Sequence, residues 1–268
     1  MGRIYTLVNQ KGGVGKTTTA INLGAYLARF GQRVLIVDLD PQANATSSLG
    51  VDKHKVQGST YDALLGLKPS PSLVLYNERL KIALLPSAPA LAGAEVELVG
   101  EMAREMRLRQ ALQGLDSRYD YILVDCPPSL GLLTVNGLVA AKDGVIIPVQ
   151  CEYLALEGLG QLTQTLQRVR AALFPELTVR GVVLTMYDSR TNLSTDVVTE
   201  VNRHFPQQAF RAIVPRSVRL AEAPSYGLPI SAYAPGSSGA QAYEQLAREV
   251  LTGDGVKFDE SNLSTQQR

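Results

Sequence analysis

The chain has 268 residues, 45% of them hydrophobic, with 26 Lys and Arg against 25 Asp and Glu and a formal net charge of +1 at pH 7. A chain of this length can bury about 70–75% of its unfolded surface, and so even a charge balance excludes a global drive toward nucleic acid or acidic lipid, leaving any polyanion contact to a local patch. The two cysteines, Cys126 and Cys151, have neither C-x-x-C spacing nor a nearby His, which argues against zinc and for reduced, buried thiols.

Short apolar runs predict strands at Ile4–Val8, Val34–Val37, Ile82–Leu85, Tyr121–Val124, Val145–Val149, Val179–Met186 and Ala212–Val214. Helical stretches fall at Lys16–Phe30, Ala88–Val99, Glu101–Leu115, Leu130–Ala141, Leu154–Leu173, Leu193–Phe205 and Ala240–Leu251. Runs without polar alternation suit strands buried on both faces, and their alternation with helices predicts an α/β fold: a mostly parallel, twisted sheet with helices on both faces. No repeat or low-complexity linker divides the chain, so residues 1–251 are expected to form one domain and residues 252–268 a polar, flexible tail. The weakest stretch is 53–77, where Pro69-Ser70-Pro71-Ser72 signals a loop. The N-terminus opens on a strand and no apolar run approaches the ~20 residues of a spanning helix, so a soluble, cytoplasmic protein is expected.

Between the first strand and the first helix lies Lys11-Gly12-Gly13-Val14-Gly15-Lys16-Thr17-Thr18. Glycines let successive backbone N–H groups turn toward one anion, and the helix adds its positive end. Lys16 is then placed to reach terminal phosphates and Thr17 to ligate magnesium. The second strand ends in Asp38 and Asp40, two positions apart and so on one face, followed by Pro41-Gln42. The Tyr121–Val124 strand delivers Asp125 to the same sheet edge, where a carboxylate can hold magnesium through water, and Pro127-Pro128 then forms a stiff, switch-like loop.

The loop is not the general G-x-x-x-x-G-K-[ST] form, because Gln10 stands where its first glycine would be and Lys11 takes a spacer position. It resembles the deviant Walker A motif of the ParA/MinD/Soj ATPases. Asp38-Leu39-Asp40-Pro41-Gln42, Asp125, Leu184–Asn192 and Ile213–Ser225 extend the resemblance to the chromosomal ParA/Soj subgroup, over residues 2–250. The resemblance implies a slow, magnesium-dependent ATP hydrolase that closes into an ATP-sandwich homodimer. Residues 11–18 would cradle ATP, with Lys11 reaching the partner's nucleotide; Thr17, Asp38 and Asp125 would serve the magnesium shell, and Asp40 the attacking water. Pro215 and Arg216 would lie near the adenine, although Ser217 stands where Asn is expected. The family's partners are a ParB-type centromere-binding protein and nonspecific double-stranded DNA, which would place the protein on the nucleoid.

Residues 180–220 hold six arginines (180, 190, 203, 211, 216 and 219) against three acids (188, 196 and 200). Such a bias can read phosphates without reading sequence, and with the resemblance it marks Arg190 and Arg219 as DNA-binding candidates. Glu152 and Glu157 at a helix start are expected to complement the helix dipole and to touch a dimer partner. The alternatives are a MinD-like membrane-cycling ATPase, disfavoured by a C-terminal stretch with few bulky apolar residues; an iron–sulfur reductase using the two cysteines; and a non-hydrolysing nucleotide switch, against which Asp40 argues.

Overall fold

In the computed structural model, which describes residues 2–258, the strands are β1 (Arg3–Leu7), β2 (Val34–Asp38), β3 (Leu75–Asn77), β4 (Ile82–Leu85), β5 (Tyr121–Asp125), β6 (Gly144–Gln150), β7 (Val179–Tyr187) and β8 (Ala209–Pro215). They form one sheet in the order β3-β4-β2-β5-β1-β6-β7-β8. Every pairing is parallel except β3 with β4. The helices are α1 (Lys16–Arg29), α2 (Asn44–Ser48), α3 (Thr60–Leu64), α4 (Leu91–Glu97), α5 (Arg107–Ala111), α6 (Leu132–Ala140), α7 (Ala155–Ala172), α8 (Asn192–His204), α9 (Val218–Glu222), α10 (Ile230–Tyr233) and α11 (Ser238–Gly253).

The strands lack polar alternation because both faces of the sheet are covered. Tyr5, Leu7, Ile36 and Leu123 point to one side, where α1 and α11 pack. Ile4, Leu35, Val37, Ile122 and Val124 point to the other, under α4, α5 and α6, while Ile147, Val149, Val182 and Leu184 continue that side under α7 and α8. Gly24 permits the close seating of α1, since a Cβ there would lie 3.2 Å from Ile36 Cδ1. Gly137 does the same for α6: a Cβ would sit 2.5 Å from Cys126 Sγ.

Several expected elements differ. The Glu101–Leu115 helix is reduced to a 3-10 turn, Arg104–Met106, and α5, because Ala103 takes a left-handed φ of 51° that no helix continues through. The Ala88–Val99 helix shortens to α4 with a 3-10 turn after it. β3 falls within the stretch read as weakest, and α2, α3, α9 and α10 are too short to carry a periodic signal. The helix expected at Ala240–Leu251 starts at Ser238 and continues to Gly253. Asp254 then turns inward, with its side chain only 3% exposed, and accepts from the Tyr5 hydroxyl at 2.8 Å, the Tyr121 hydroxyl at 2.9 Å and Arg180 Nε at 3.0 Å. The expected flexible tail falls largely outside the described residues, from 259 onward.

Candidate functional site

β1, β2 and β5 end level with one another: Leu7 is the register partner of Asp125, and Asp125 of Asp38. The chain changes direction around β1, which has β5 on one side and β6 on the other, and the crevice outside the carboxyl ends of such strands is where open α/β sheets bind ligands. Residues 8–15 cross it. Asn9 anchors the crossing, donating from Nδ2 to Pro148 O at 2.7 Å and accepting the Lys11 N–H at 3.0 Å. Gly13 and Gly15 take φ of 76° and 90°, and a Cβ at Gly13 would meet nothing within 4 Å. Thr185 Oγ1, on β7, donates to Val14 O at 2.8 Å and pins the loop from the other side. The first turn of α1 has no side-chain cap, so its N–H groups face the crevice as donors for an anion.

Lys16 is 7% exposed and donates from Nζ to Lys11 O at 3.0 Å, folding back across the loop. Burial lowers its pKa, and Asp125 and Asp40 oppose the shift. Asp125 is fully buried and neither carboxylate oxygen has a hydrogen-bond partner. Burial drives its pKa well up, with Asp38 adding to the shift and the Thr17 hydroxyl and Lys16 only tempering it. An ionisable group this poorly satisfied suits a cation that arrives with a ligand.

Asp38 is as deeply buried but fully occupied. Its Oδ2 accepts the Thr46 N–H and hydroxyl, both at 2.7 Å, and Oδ1 the Asp40 N–H at 3.2 Å. Burial still pushes its pKa up to about 6. Asp38 is thus placed to hold its neighbours, not to offer a free oxygen. Asp40 uses Oδ1 to accept the Gln42 N–H at 2.9 Å, and its carbonyl accepts the Ser87 hydroxyl at 2.7 Å, which leaves Oδ2 available.

Lys11 points away from the loop and forms an ion pair with Glu152 of its own chain, just before α7. Glu152 was expected to serve a helix dipole and a partner; its observed contact is Lys11, while Glu157 accepts from Gln161 at 3.4 Å. Gly12 lies against Pro128, 3.8 Å from a Cβ placed there, so the phosphate loop and the Pro127-Pro128 turn are neighbours. Thr18 lies in the first turn of α1, with its carbonyl accepting from Asn22 Nδ2 at 2.7 Å. Pro215 ends β8 opposite Tyr187, and the Arg216 N–H donates to Tyr187 O at 2.9 Å, putting both two residues along β7 from Thr185.

The arginine-rich stretch does not form one patch. Arg180, at the start of β7, turns to Asp254 at the opposite sheet edge. Arg190 and Arg219 do lie at the carboxyl ends of β7 and β8, each tied to a local acid: Arg190 to Asp188 at 2.6 and 2.8 Å, Arg219 to Glu222 at 3.0 Å. Asn9, Thr46, Ser87, Thr185 and Glu152 are site residues that the motifs did not reveal. For Asn9 and Thr185 a signal existed, since Asn9 follows β1 and Thr185 lies near the end of β7, at the edge that carries the loop.

The model of the AAA domain family matches residues 2–179. The chromosome partitioning protein ParA of Myxococcus xanthus is 52% identical over 257 residues, covering 96% of this chain and 90% of that protein. The chain belongs to the ParA/Soj family of chromosome-partitioning ATPases. The sporulation initiation inhibitor Soj of Bacillus subtilis is 51% identical over 250 residues, covering 93% of this ParA/Soj-family chain and 98% of its own. Among solved structures it is similar to the Mycobacterium smegmatis protein described as cobyrinic acid a,c-diamide synthase with bound ADP and magnesium: TM-score 0.84, 40% identity, 95% of this chain and 96% of that one. The eight-stranded sheet is therefore the phosphate-loop NTPase fold of this family. Among the described residues no helix is long and apolar enough to cross a membrane.

Proposed function

We propose that this protein is a DNA-partitioning ATPase that binds ATP and magnesium, closes as a homodimer around two nucleotides, holds DNA without regard to sequence, and is reset by hydrolysis stimulated by a ParB-type partner. The observation that carries the reading is Asp125, a buried carboxylate with two unpartnered oxygens beside Thr17 and within the field of Lys16. The residues fit a magnesium nucleotide. The backbone of Gly12–Gly15 and the first turn of α1 hold the phosphates; Thr17 and Asp125 hold the metal, and Asp38 keeps the Asp40 backbone in place. Magnesium, when bound, neutralises phosphate charge. Lys16 leaves the Lys11 carbonyl for the terminal phosphates. Asp40 Oδ2 accepts a hydrogen bond from the attacking water, and Lys11 crosses to the second subunit's nucleotide after leaving Glu152. Pro215 and Arg216 flank the base. Few groups match the transition-state charge in one subunit, which favours slow turnover until a partner acts. The protein then works in the cytoplasm, on the nucleoid.

The test is retention on duplexes of unrelated sequence, for the parent and Asp40→Ala, across a salt series with ADP, ATP or no nucleotide. Retention that needs ATP, ignores sequence and falls with salt is the expected result, with Asp40→Ala retained but unable to hydrolyse. ATP turnover without ATP-dependent retention would overturn the DNA part of the reading. ATP-dependent pelleting with liposomes would turn it toward a membrane-cycling ATPase.

A further inference from the structure

At the opposite end of the sheet from the phosphate loop, the C-terminus of α1, the start of β2, the β3–β4 turn and the approach to β5 line a half-open cavity of about 730 Å³. Five cations line it and, among the described residues, no carboxylate does. Arg33 is neutralised by Asp120, at 2.7 Å. Arg79, Lys81 and Arg118 have no side-chain hydrogen bond or ion pair among the described residues. Arg29 donates from Nη1 to Ser231 O at 3.1 Å, but its Nε is buried with no partner. Arg29, Arg79, Lys81 and Arg118 thus bring positive charge from three chain segments to one concavity with no carboxylate partner, which raises the local concentration of an anion there.

The remaining walls narrow the chemistry. Tyr76 is 62% exposed at the cavity, and Tyr119 is half-buried beside it. The two phenols are close enough to act on one another: burial raises the Tyr119 pKa, Arg118 opposes the rise and Tyr76 adds to it. Ala28, Val34 and Leu80 contribute apolar surface. A single phosphate would fill little of this space, which is in the range of organic ligand sites, about 300–1,000 Å³. A polynucleotide would call for cations spread along a track, whereas these face one concavity. Aromatic rings beside guanidinium groups suit a molecule with both a planar base and several phosphates.

We propose that this cavity is a second anion site that binds a nucleoside polyphosphate, separate from the phosphate loop. It lies at the far end of the elements that build the loop site. α1 runs from Lys16 to Arg29, β2 from Val34 to Asp38, and β5 begins two residues after Tyr119 and ends at Asp125. A ligand here sits about 20 Å from the loop along α1.

The experiment uses the full chain with Lys16→Ala, which silences the loop, titrated calorimetrically at physiological ionic strength with GTP and with inorganic triphosphate. One GTP per chain is expected, bound about tenfold more tightly than triphosphate. The added pair Arg79→Ala and Arg118→Ala should weaken it at least tenfold, and Tyr76→Ala should remove the preference for GTP over triphosphate. Tyr76, Arg79 and Arg118 are exposed, and unchanged thermal unfolding of each variant checks the fold. The same pair in the parent chain should leave ATP turnover at the loop unchanged. No saturable GTP binding, binding indifferent to Arg79 and Arg118, or equal affinity for triphosphate and GTP would overturn the proposal. Binding of a short duplex that depends on these arginines while GTP fails to bind would overturn it in favour of nucleic acid.

Discussion

Asp38 and Asp125 are register partners on adjacent parallel strands, both fully buried, yet one has its oxygens satisfied by Thr46 and Asp40 while the other has none. Replacing Asp125 with Asn removes the buried charge without breaking a hydrogen bond. Asp125→Asn should therefore stabilise the nucleotide-free protein at pH above the raised Asp125 pKa, where the parent carboxyl is charged, read as a rise of roughly 2–4 °C in Tm per kcal/mol gained. The gain should shrink as pH falls through the raised Asp125 pKa, where the parent carboxyl becomes neutral too. The variant should lose the further stabilisation that magnesium adds to nucleotide. A lower Tm for the nucleotide-free variant at pH 8 would refute the assignment.

Asp38 sets the pH dependence of the nucleotide-free protein in the same direction. Its folded pKa, about 6, lies above the ordinary 3.8, so the folded chain holds the proton more tightly than the unfolded one. The stability contributed by that proton is complete below the ordinary value and is lost as pH rises through 6. By linkage the loss is about 3 kcal/mol. Denaturant unfolding from pH 4.5 to 7.5 should show a contribution that falls and levels off above pH 6 in the parent, and that keeps falling to higher pH in Thr46→Val, whose lost hydroxyl hydrogen bond raises the Asp38 pKa further.

The Lys11–Glu152 pair holds the lysine within its own chain, with the two side chains 40% and 32% exposed. Such half-exposed pairs contribute about 0.2–1 kcal/mol. Because each dimer breaks two such pairs, Glu152→Gln should favour the ATP-bound dimer by up to about thirtyfold, measured by sedimentation with ATP across protein concentrations. Lys11→Ala should bind ATP like the parent and fail to dimerise. Weaker dimerisation of Glu152→Gln would mean that Glu152 serves the dimer and not the separate chain.

The strand runs were legible because burial on both sheet faces leaves no polar positions, and the loop and its three aspartates were legible because each closes such a run. What could not be read depends on residues far apart in sequence. α2, with the sequence NATSS, has little helical propensity; it is held in part by Thr46 donating to Asp38. β3 is three residues long, with Leu75 and Tyr76 exposed, and pairs only at the sheet edge. Asp254 sits in a polar stretch that gives no local hint of Arg3, Tyr5, Tyr121 and Arg180, separated from it by up to 251 positions. The Lys11–Glu152 pair joins two motifs that sequence spacing leaves unrelated.

Asp254 fastens the end of α11 to the start of the sheet, and Arg180 also donates to Val250 O at 3.0 Å. Asp254→Ala would leave the partly buried Arg180 guanidinium and two tyrosine hydroxyls without their acceptor, a loss of about 3–5 kcal/mol by analogy with broken buried pairs. Tm should fall by roughly 6–20 °C, while the affinity for nucleotide measured well below that temperature should be unchanged. Truncation after Leu251 should cost at least as much, and truncation after Phe258 should retain the latch. A change in Tm of only a degree for Asp254→Ala would show that water replaces the carboxylate readily.

Arg190 and Arg219 are engaged by Asp188 and Glu222, but these pairs are local and their guanidinium groups are 83% and 61% exposed, so a phosphate can compete for them with little loss. Arg216 lies between them in the same edge, close enough for Asp188 to feel its charge. If the closed dimer presents this edge twice, Arg190→Ala with Arg219→Ala removes four phosphate contacts. The slope of log retention against log salt should then fall by about 3–4, with no change in Tm, ATP turnover without DNA, or dimerisation. Asp188→Asn should do the opposite, freeing Arg190 and strengthening retention at moderate salt. An unchanged slope for the double arginine variant would place the DNA contact elsewhere on the dimer, and a lowered Tm would mean that the arginines serve the fold.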